Sequence, residues 1–509
     1  MTQANAELAT LAAGGRTSFF GFLLRLAARM PFLFIAGRMY GTEALGRFAY
    51  AVLVVEFAAQ VATMGLKRGL AQQLATSERD HRFDVWDAMI VCAVASLFAA
   101  GVLILLPQAM FPNSSLNGMD RLLPLVILPL AASDIALSAL AYRGDLGATV
   151  RARSVVEPWA LGITAGALAF VTTRDGLIIA YVASIGAAFL ASMIPMVKSF
   201  GFPTHEWRPR PGLIWDLARR NTPLAAADAI EWASRRIDIA ILGLFVSPSA
   251  VGIYWGAQQV VSLPQKLKTT FDPVLAPVIT QSLGKGDKIG VARHIRQVAF
   301  WITAAQLLGL LMFGIPAVGV MGIIGPAFVM GAGALVVLLS AEVFASTGAV
   351  AESALIYVAR KRNMMISIGT IILQAILCAS LILVAKGQGL SEFWQMAAAA
   401  FGLLLALFAA SIAKAWLAER LLGGPVVGWR WTLVPTAALA GAVGWAAVHY
   451  LPEWATMTLG MTAIFATYVA ALWFFAFGPE DRELFRLRRA TPEVAGPVEP
   501  NAVPNGTLP

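Results

Sequence analysis

Four arginines fall inside segments that otherwise read as apolar: Arg25, Arg29, Arg235 and Arg236. Two of them are related by a repeat. From Ala28 the chain reads ARMPFLFIAGRMYGTEALGRFAYA, and from Ser234 it reads SRRIDIAILGLFVSPSAVGIYWGA. At one offset of 206 residues Arg29 matches Arg235, Gly37 matches Gly243 and Ala44 matches Ala250. In the same register Gly46 matches Gly252, Phe48 matches Tyr254 and Ala51 matches Ala257. A charge at the bilayer centre costs roughly 2.5–3.5 kcal/mol on insertion scales, so a residue of this kind marks function by default. A charge repeated at one depth in two halves points to a pseudo-symmetric transporter with a cationic site between them. The guanidinium fork suits phosphate oxygens and stays charged at any working pH, so the chemistry on offer is the binding of a phosphorylated anion.

The segment around Arg235 also carries acids. On a continuous helix Asp228, Glu231, Arg235 and Asp238 fall within an arc of about 80°. Glu231 precedes Arg235 by four residues, the favoured order for an ion pair, and Arg235 reaches Asp238 in the same register. The stripe is either a self-neutralising seam that packs the halves together or the polar wall of a water-filled cavity. Arg236 points off the stripe, placed to meet a ligand or an acid on another span. Arg25 and Arg29 lie one turn apart with no acid in their own apolar stretch. Their counter-anions are either the carboxylates of Glu56 and Asp134 or a bound phosphate. A carrier coupled to H+ or Na+ needs a carboxylate whose ionisation changes with access, and Glu56, Asp134, Asp228 and Asp238 are equal candidates. Glu342 and Glu352 are further acids within a span. No other cofactor is expected. GKGDKIG at 284–290 lacks the GxxxxGK[ST] pattern of a nucleotide loop, and the four histidines have no metal-ligand spacing.

The elements that must position these residues are membrane helices. The 509 residues are 58% hydrophobic and 13% charged, against about 25% charged in a soluble domain. Apolar runs of about 20 residues, each long enough to cross roughly 30 Å of hydrocarbon, repeat along the chain. Fourteen spans fit, at 17–39, 44–66, 84–106, 121–142, 154–173, 176–197, 222–246, 250–273, 297–317, 332–358, 364–385, 391–413, 431–450 and 455–477. With the N-terminus inside, cytoplasmic segments and the cytoplasmic end of the 250–273 span carry 29 of the 38 Lys and Arg, and outer loops and outer span ends carry five. That bias orients the protein with both termini cytoplasmic and removes the need for a nucleic-acid partner to explain the net charge of +9.

The repeat offset covers six spans, and an even number keeps the orientation, so the repeat is parallel. Residues 1–198 are expected to form one six-helix bundle, 199–221 a cytoplasmic connector with an interfacial helix around 214–220, and 222–418 the second bundle. Residues 419–478 hold two spans outside the repeat, and 479–509 read as a disordered cytoplasmic tail. Cys92 and Cys378 fall inside spans, so no disulfide framework is indicated. Residues 1–15 carry only Glu7, unlike a cleavable signal.

The stretch RIDIAILGLFVSPSAVGIYWGAQQVVSLPQ, followed by FDPVLAPVITQSLGKGD, resembles the second-half signature of polysaccharide repeat-unit (Wzx-type) flippases. These belong to the multidrug/oligosaccharidyl-lipid/polysaccharide exporter superfamily. GRMYGTEALGRFAYA resembles their first-half signature, although Met39-Tyr40-Gly41 stands where many members have a Leu-Gly pair. The resemblance implies a transporter and not an enzyme, one that flips undecaprenyl-diphosphate-linked oligosaccharide across the inner membrane by alternating access. It implies lipopolysaccharide or exopolysaccharide synthesis as the setting, with a polysaccharide polymerase and export machinery as partners beside the membrane lipids. Arg25, Arg29, Arg235 and Arg236 would then hold the diphosphate. The alternatives within the superfamily are a lipid II flippase and a cation-coupled multidrug antiporter.

Overall fold

The computed structural model describes residues 29–203, 207–270, 272–478 and 481–482, and among them there is no strand. The first seven helices are α1 (29–40), α2 (Gly41–Ala62), α3 (Leu66–Thr76), α4 (His81–Leu105), α5 (Gly118–Tyr142), α6 (146–168) and α7 (Gly176–Phe200). The next are α8 (Pro211–Ser234), α9 (Ile237–Phe245), α10 (Pro248–Thr270), α11 (Asp272–Gly284) and α12 (Lys288–Gly314). The rest are α13 (Ala317–Ile324), α14 (Pro326–Val358), α15 (Arg360–Gly387), α16 (Glu392–Leu422), α17 (Leu433–Tyr450) and α18 (Glu453–Ala476).

Among the described residues, ten helical stretches are long and apolar enough to cross a membrane. One of them, Arg29–Thr76, holds two expected spans, α1 and α2, which part at Gly41 where φ is +82°. The expected spans missing from the ten are those at 154–173, 222–246 and 250–273. Each is too charged, too polar or too broken to pass on composition. A polar helix survives in hydrocarbon only where other helices or a cavity satisfy its side chains, so these three are where the site is expected.

Two boundaries differ from expectation. The interfacial helix at 214–220 is not separate, because α8 runs unbroken from Pro211 through Ser234. The helix expected at 222–246 instead breaks at Arg235 and Arg236, whose φ values are −95° and −140°. The tail expected to be disordered from 479 lies outside the described residues except for 481–482, where Asp481 is buried. Its carboxylate accepts from Trp301 Nε1 at 2.8 Å, Arg430 Nη1 at 2.6 Å and the Gly478 N–H at 2.9 Å. α18 is tied to α12 by Tyr468, whose hydroxyl donates to the Ala304 carbonyl at 2.8 Å.

A close crossing joins α2 to α10, and it is reciprocal under the repeat. A Cβ on Gly46 would stand 1.6 Å from the Pro248 oxygen and 2.8 Å from the Gly252 nitrogen. A Cβ on Gly252 would stand 2.2 Å from the Thr42 oxygen and 2.8 Å from the Gly46 nitrogen. Thr42 and Pro248 are themselves one offset apart, so each helix offers the same groove to the other. Around this crossing Thr42 Oγ1 meets Ser249 Oγ at 2.6 Å. Asn113 Nδ2 donates to the Gly243 and Val246 oxygens at 3.0 and 2.9 Å, and Arg38 Nη2 donates to the Gly322 oxygen at 3.2 Å. These bonds close the end of the molecule that carries Gly41.

Candidate functional site

The opposite end of the same seam is polar. A cavity of about 210 Å³ lies there, lined by Gln60, Lys67, Arg68, Asp228, Glu231, Trp232, Arg235 and Arg236. Four of these side chains are basic and two are acidic. α8 supplies Asp228 and Glu231 from consecutive turns, and the break after Ser234 turns Arg235 and Arg236 in different directions. Glu231 bridges two cations: Arg235 Nη2 lies 3.1 Å from Oε1 and Arg68 Nη2 lies 2.6 Å from Oε2. Arg68 Nε also reaches Asp228 Oδ1 at 2.8 Å.

Arg236 reaches across the seam to Glu56 on α2 and lies over the Trp232 ring, 5.3 Å from its centroid. Trp232 in turn packs on Phe57 at 5.1 Å between ring centroids. Glu56 stands fifteen residues along α2 from Gly41, which is about 22 Å at 1.5 Å per residue. Arg29 donates across the same seam to Gln259 on α10. Thus each half sends an arginine to an acceptor held by the other.

The expected own-helix stripe is kept by Asp228, Glu231 and Arg235 and loses only Asp238. Arg235 keeps Glu231, but Asp238 lies beyond the break, on α9, and is fully buried away from it. Its Oδ2 accepts from the Tyr254 hydroxyl at 2.7 Å and from Gln258, while Oδ1 has no hydrogen-bond partner among the described residues. Glu56 and Asp134, expected as one choice of counter-anions for the span 1 arginines, have other partners among the described residues. Glu56 takes Arg236, and Asp134 takes Arg153 and, at 3.3 Å, Lys67. Arg153 Nη1 also meets Glu157 at 2.7 Å. Arg25 lies outside the described residues. Glu352 pairs with Lys414 at 2.9 Å, and Glu342 accepts from Gln265 at 3.2 Å.

The span boundaries expected from sequence leave Lys67, Arg68 and Arg153 among cytoplasmic charges, yet all three pair with the candidate acids. The signal for them was present. Glu56, Asp134 and Asp228 are three acids in or beside apolar stretches, and a buried carboxylate needs a partner, so basic residues next to the span ends were due. Arg153 was displaced by its helix, which begins at 146 and runs through a wide π-helical stretch, Val150–Val156, that carries the guanidinium inward.

Residues 21–283 match the profile of a family described as polysaccharide biosynthesis protein. No curated protein matches the chain. Among solved structures, the chain is similar to the lipid II flippase MurJ in an inward closed conformation, with a TM-score of 0.72 and 11% identity. That match covers 93% of this chain and 100% of the other. It is also similar to an inward-facing multidrug resistance MATE family transporter of the MOP superfamily, with a TM-score of 0.62, 11% identity and coverage of 79% and 98%. A third is a MOP superfamily transporter from Pyrococcus furiosus, described as having a binding pocket of reverse polarity. Its TM-score is 0.55 at 11% identity, covering 81% of this chain and 95% of that one. At such identities the likeness is one of fold, whereas the profile match spans more than half of the chain. The chain therefore belongs to the polysaccharide biosynthesis protein family and carries the fold of the MOP superfamily transporters.

Proposed function

We propose that the protein flips an oligosaccharide, joined through a diphosphate to an undecaprenyl lipid, across the inner membrane by alternating access. The observation that carries this reading is the seam cavity, where Lys67, Arg68, Arg235 and Arg236 outnumber Asp228 and Glu231. A dianionic diphosphate balances that excess, and the lipid tail can remain in the bilayer beside the helices. The basic bias of the loops supports a cavity on the cytoplasmic side and a Gly46–Gly252 crossing outside, with both termini inside. The bundles 1–198 and 222–418 rock about that crossing, and 419–478 stays outside the motion. Products of the lipopolysaccharide or exopolysaccharide kind, handed to a polymerase and export machinery, fit this chemistry. The double variant Arg29→Ala, Arg235→Ala tests it. Each arginine contributes a charge-assisted bond of about 1.5–3 kcal/mol, so loss of both is expected to lower polymer export about 100-fold or more. Export is read as surface polysaccharide at matched membrane levels of the protein, and wild-type export by the double variant would sink the proposal.

Coupling to H+ or Na+ is assigned to Asp238. What supports this is a buried carboxylate with one oxygen unpartnered, on a helix packed against α15, where the amide of the buried Gln374 is also unpartnered among the described residues. Asp238→Asn keeps the shape and removes the charge. It is expected to abolish export while leaving binding of inorganic pyrophosphate in the cavity within about twofold, since the two sites are separate. Normal export by that variant would exclude Asp238 from coupling.

A further inference from the structure

α3 is a short helix in an unusual position. It follows two consecutive left-handed residues, Met64 at φ +51° and Gly65 at φ +73°. Leu66, Leu70 and Leu74 bury one face of it in the first half. Ser138 Oγ donates to the Lys67 oxygen at 2.9 Å and the Tyr142 hydroxyl to the Leu74 oxygen at 3.3 Å, so α5 holds α3. Its first turn carries Lys67 and Arg68 and no acid. Cations at a helix N-terminus oppose the macrodipole, so their placement there needs another cause. Lys67 turns back to Asp134 in its own half, whereas Arg68 turns across the seam to Asp228 and Glu231.

α3 also lies against α8 at backbone distance. A Cβ on Gly65 would stand 2.5 Å from the Ala225 nitrogen and 2.6 Å from the Asn221 oxygen. One on Gly69 would stand 1.7 Å from Asn221 Oδ1. This contact fastens α3 to α8 beside the cavity, and about 210 Å³ is below the roughly 300–1,000 Å³ typical of a ligand pocket. α3 and α8 must part before a sugar-bearing substrate can enter.

We infer that α3 is a charge latch on the cavity and that Arg68 is a substrate-binding residue: an entering diphosphate takes Arg68 from Asp228 and Glu231, and α3 leaves α8. This rests on the transport reading above and adds the residue that couples binding to opening. The Arg68–Glu231 pair is exposed on both sides, at 53% and 48%, and ion pairs at such sites are weak and easily exchanged. Diphosphate offers its fork a bidentate partner of higher charge. Asp228 is buried, and its second oxygen is already unpartnered among the described residues. Once Arg68 turns away, that carboxylate is a buried charge without its cation, and only water admitted by the lifting of α3 relieves it. Anion capture and separation of the helices are therefore one event.

Spin labels at the exposed positions Gln72 on α3 and Arg219 on α8 report the separation in nanodiscs. The probe is inorganic pyrophosphate, set against sodium chloride of equal ionic strength, with binding measured in parallel by calorimetry. In the unmutated protein pyrophosphate is expected to move the main population to the longer distance, and chloride is not. Arg68→Gln is expected to weaken pyrophosphate binding about tenfold and to make the distance insensitive to it. Asp228→Asn removes the competing charge and is expected to tighten binding by a few-fold. Arg68→Lys keeps the charge without the fork and is expected to retain a smaller shift, which keeps the test readable if the Gln variant misfolds. Equal binding by Arg68→Gln and the unmutated protein, or no change of distance on binding, overturns the latch and leaves the cationic cavity standing. No pyrophosphate binding by the unmutated protein overturns both.

Discussion

Gly46→Ala is expected to stop transport by holding the two halves apart at the Gly41 end. The added methyl would stand 1.6 Å from the Pro248 oxygen and 2.6 Å from its carbon, and neither backbone atom can swing aside as a side chain would. Two effects compete. Alanine is favoured over glycine within a helix by about 0.5–1 kcal/mol, which would stabilise α2. Overpacking of a close contact costs about 1–3 kcal/mol, and here it falls wholly on the state in which α2 and α10 touch. The second effect wins, so the closed state is expected to lose about 5–150-fold in population relative to the open one. Gly252→Ala, with its Cβ 2.2 Å from the Thr42 oxygen, is expected to act in the same direction from the other side. Gly186→Ala on α7, where nothing lies within 4 Å, is the control. Cysteines at Thr42 and Ser249 should react faster with an impermeant thiol reagent in the Gly46 variant, with polymer export lost. Wild-type export and unchanged labelling would show that the crossing need not close.

The same glycines show which parts of the site were legible in the sequence. Gly46 and Gly252 appear there as a matched pair, because close approach of two backbones demands the smallest residue and the repeat demands it twice. Arg29 and Arg236 are visible as charges in apolar stretches, and Arg236, expected to meet a ligand or an acid on another span, pairs with Glu56. The break at Arg235–Arg236 is not visible. Arginine is a good helix former and neither glycine nor proline marks the site, so local propensity says continue. Arg236 meets Glu56 across the seam, a tertiary contact, and the break beside it removes the continuity on which the Arg235–Asp238 spacing depended. Lys67, Arg68 and Arg153 were lost for a related reason. Hydropathy assigns a charged residue to the nearest loop, whereas the path of α3 back over α8 and the early start of α6 bring these three to the acids. Which cation meets which carboxylate is decided by helix crossings, and one helix's periodicity contains no record of them.

Neutralising the two members of the Arg236–Glu56 pair is expected to give opposite results, and the asymmetry separates a structural tie from a ligand site. The pair spans the seam, and its side chains are 43% and 29% exposed. At such exposure water can solvate either partner alone, so loss of the pair is expected to change stability by only about 0–1 kcal/mol. A simple tie between the halves would then lose the same amount from either side, and Arg236→Gln and Glu56→Gln would behave alike. If Arg236 hands itself from Glu56 to a diphosphate, the two differ. Arg236→Gln removes a charge-assisted bond to the ligand and is expected to reduce export and pyrophosphate affinity about 10–100-fold. Glu56→Gln removes only the resident competitor, so pyrophosphate affinity is expected to hold or rise, with export retained. The Trp232 ring beneath the guanidinium supports it in both states, since a cation over an indole face keeps its attraction when the carboxylate is gone. Equal loss in the two variants would make the pair a hinge fastening and remove Arg236 from the diphosphate site, whereas the split result would place the anion where Glu56 now stands.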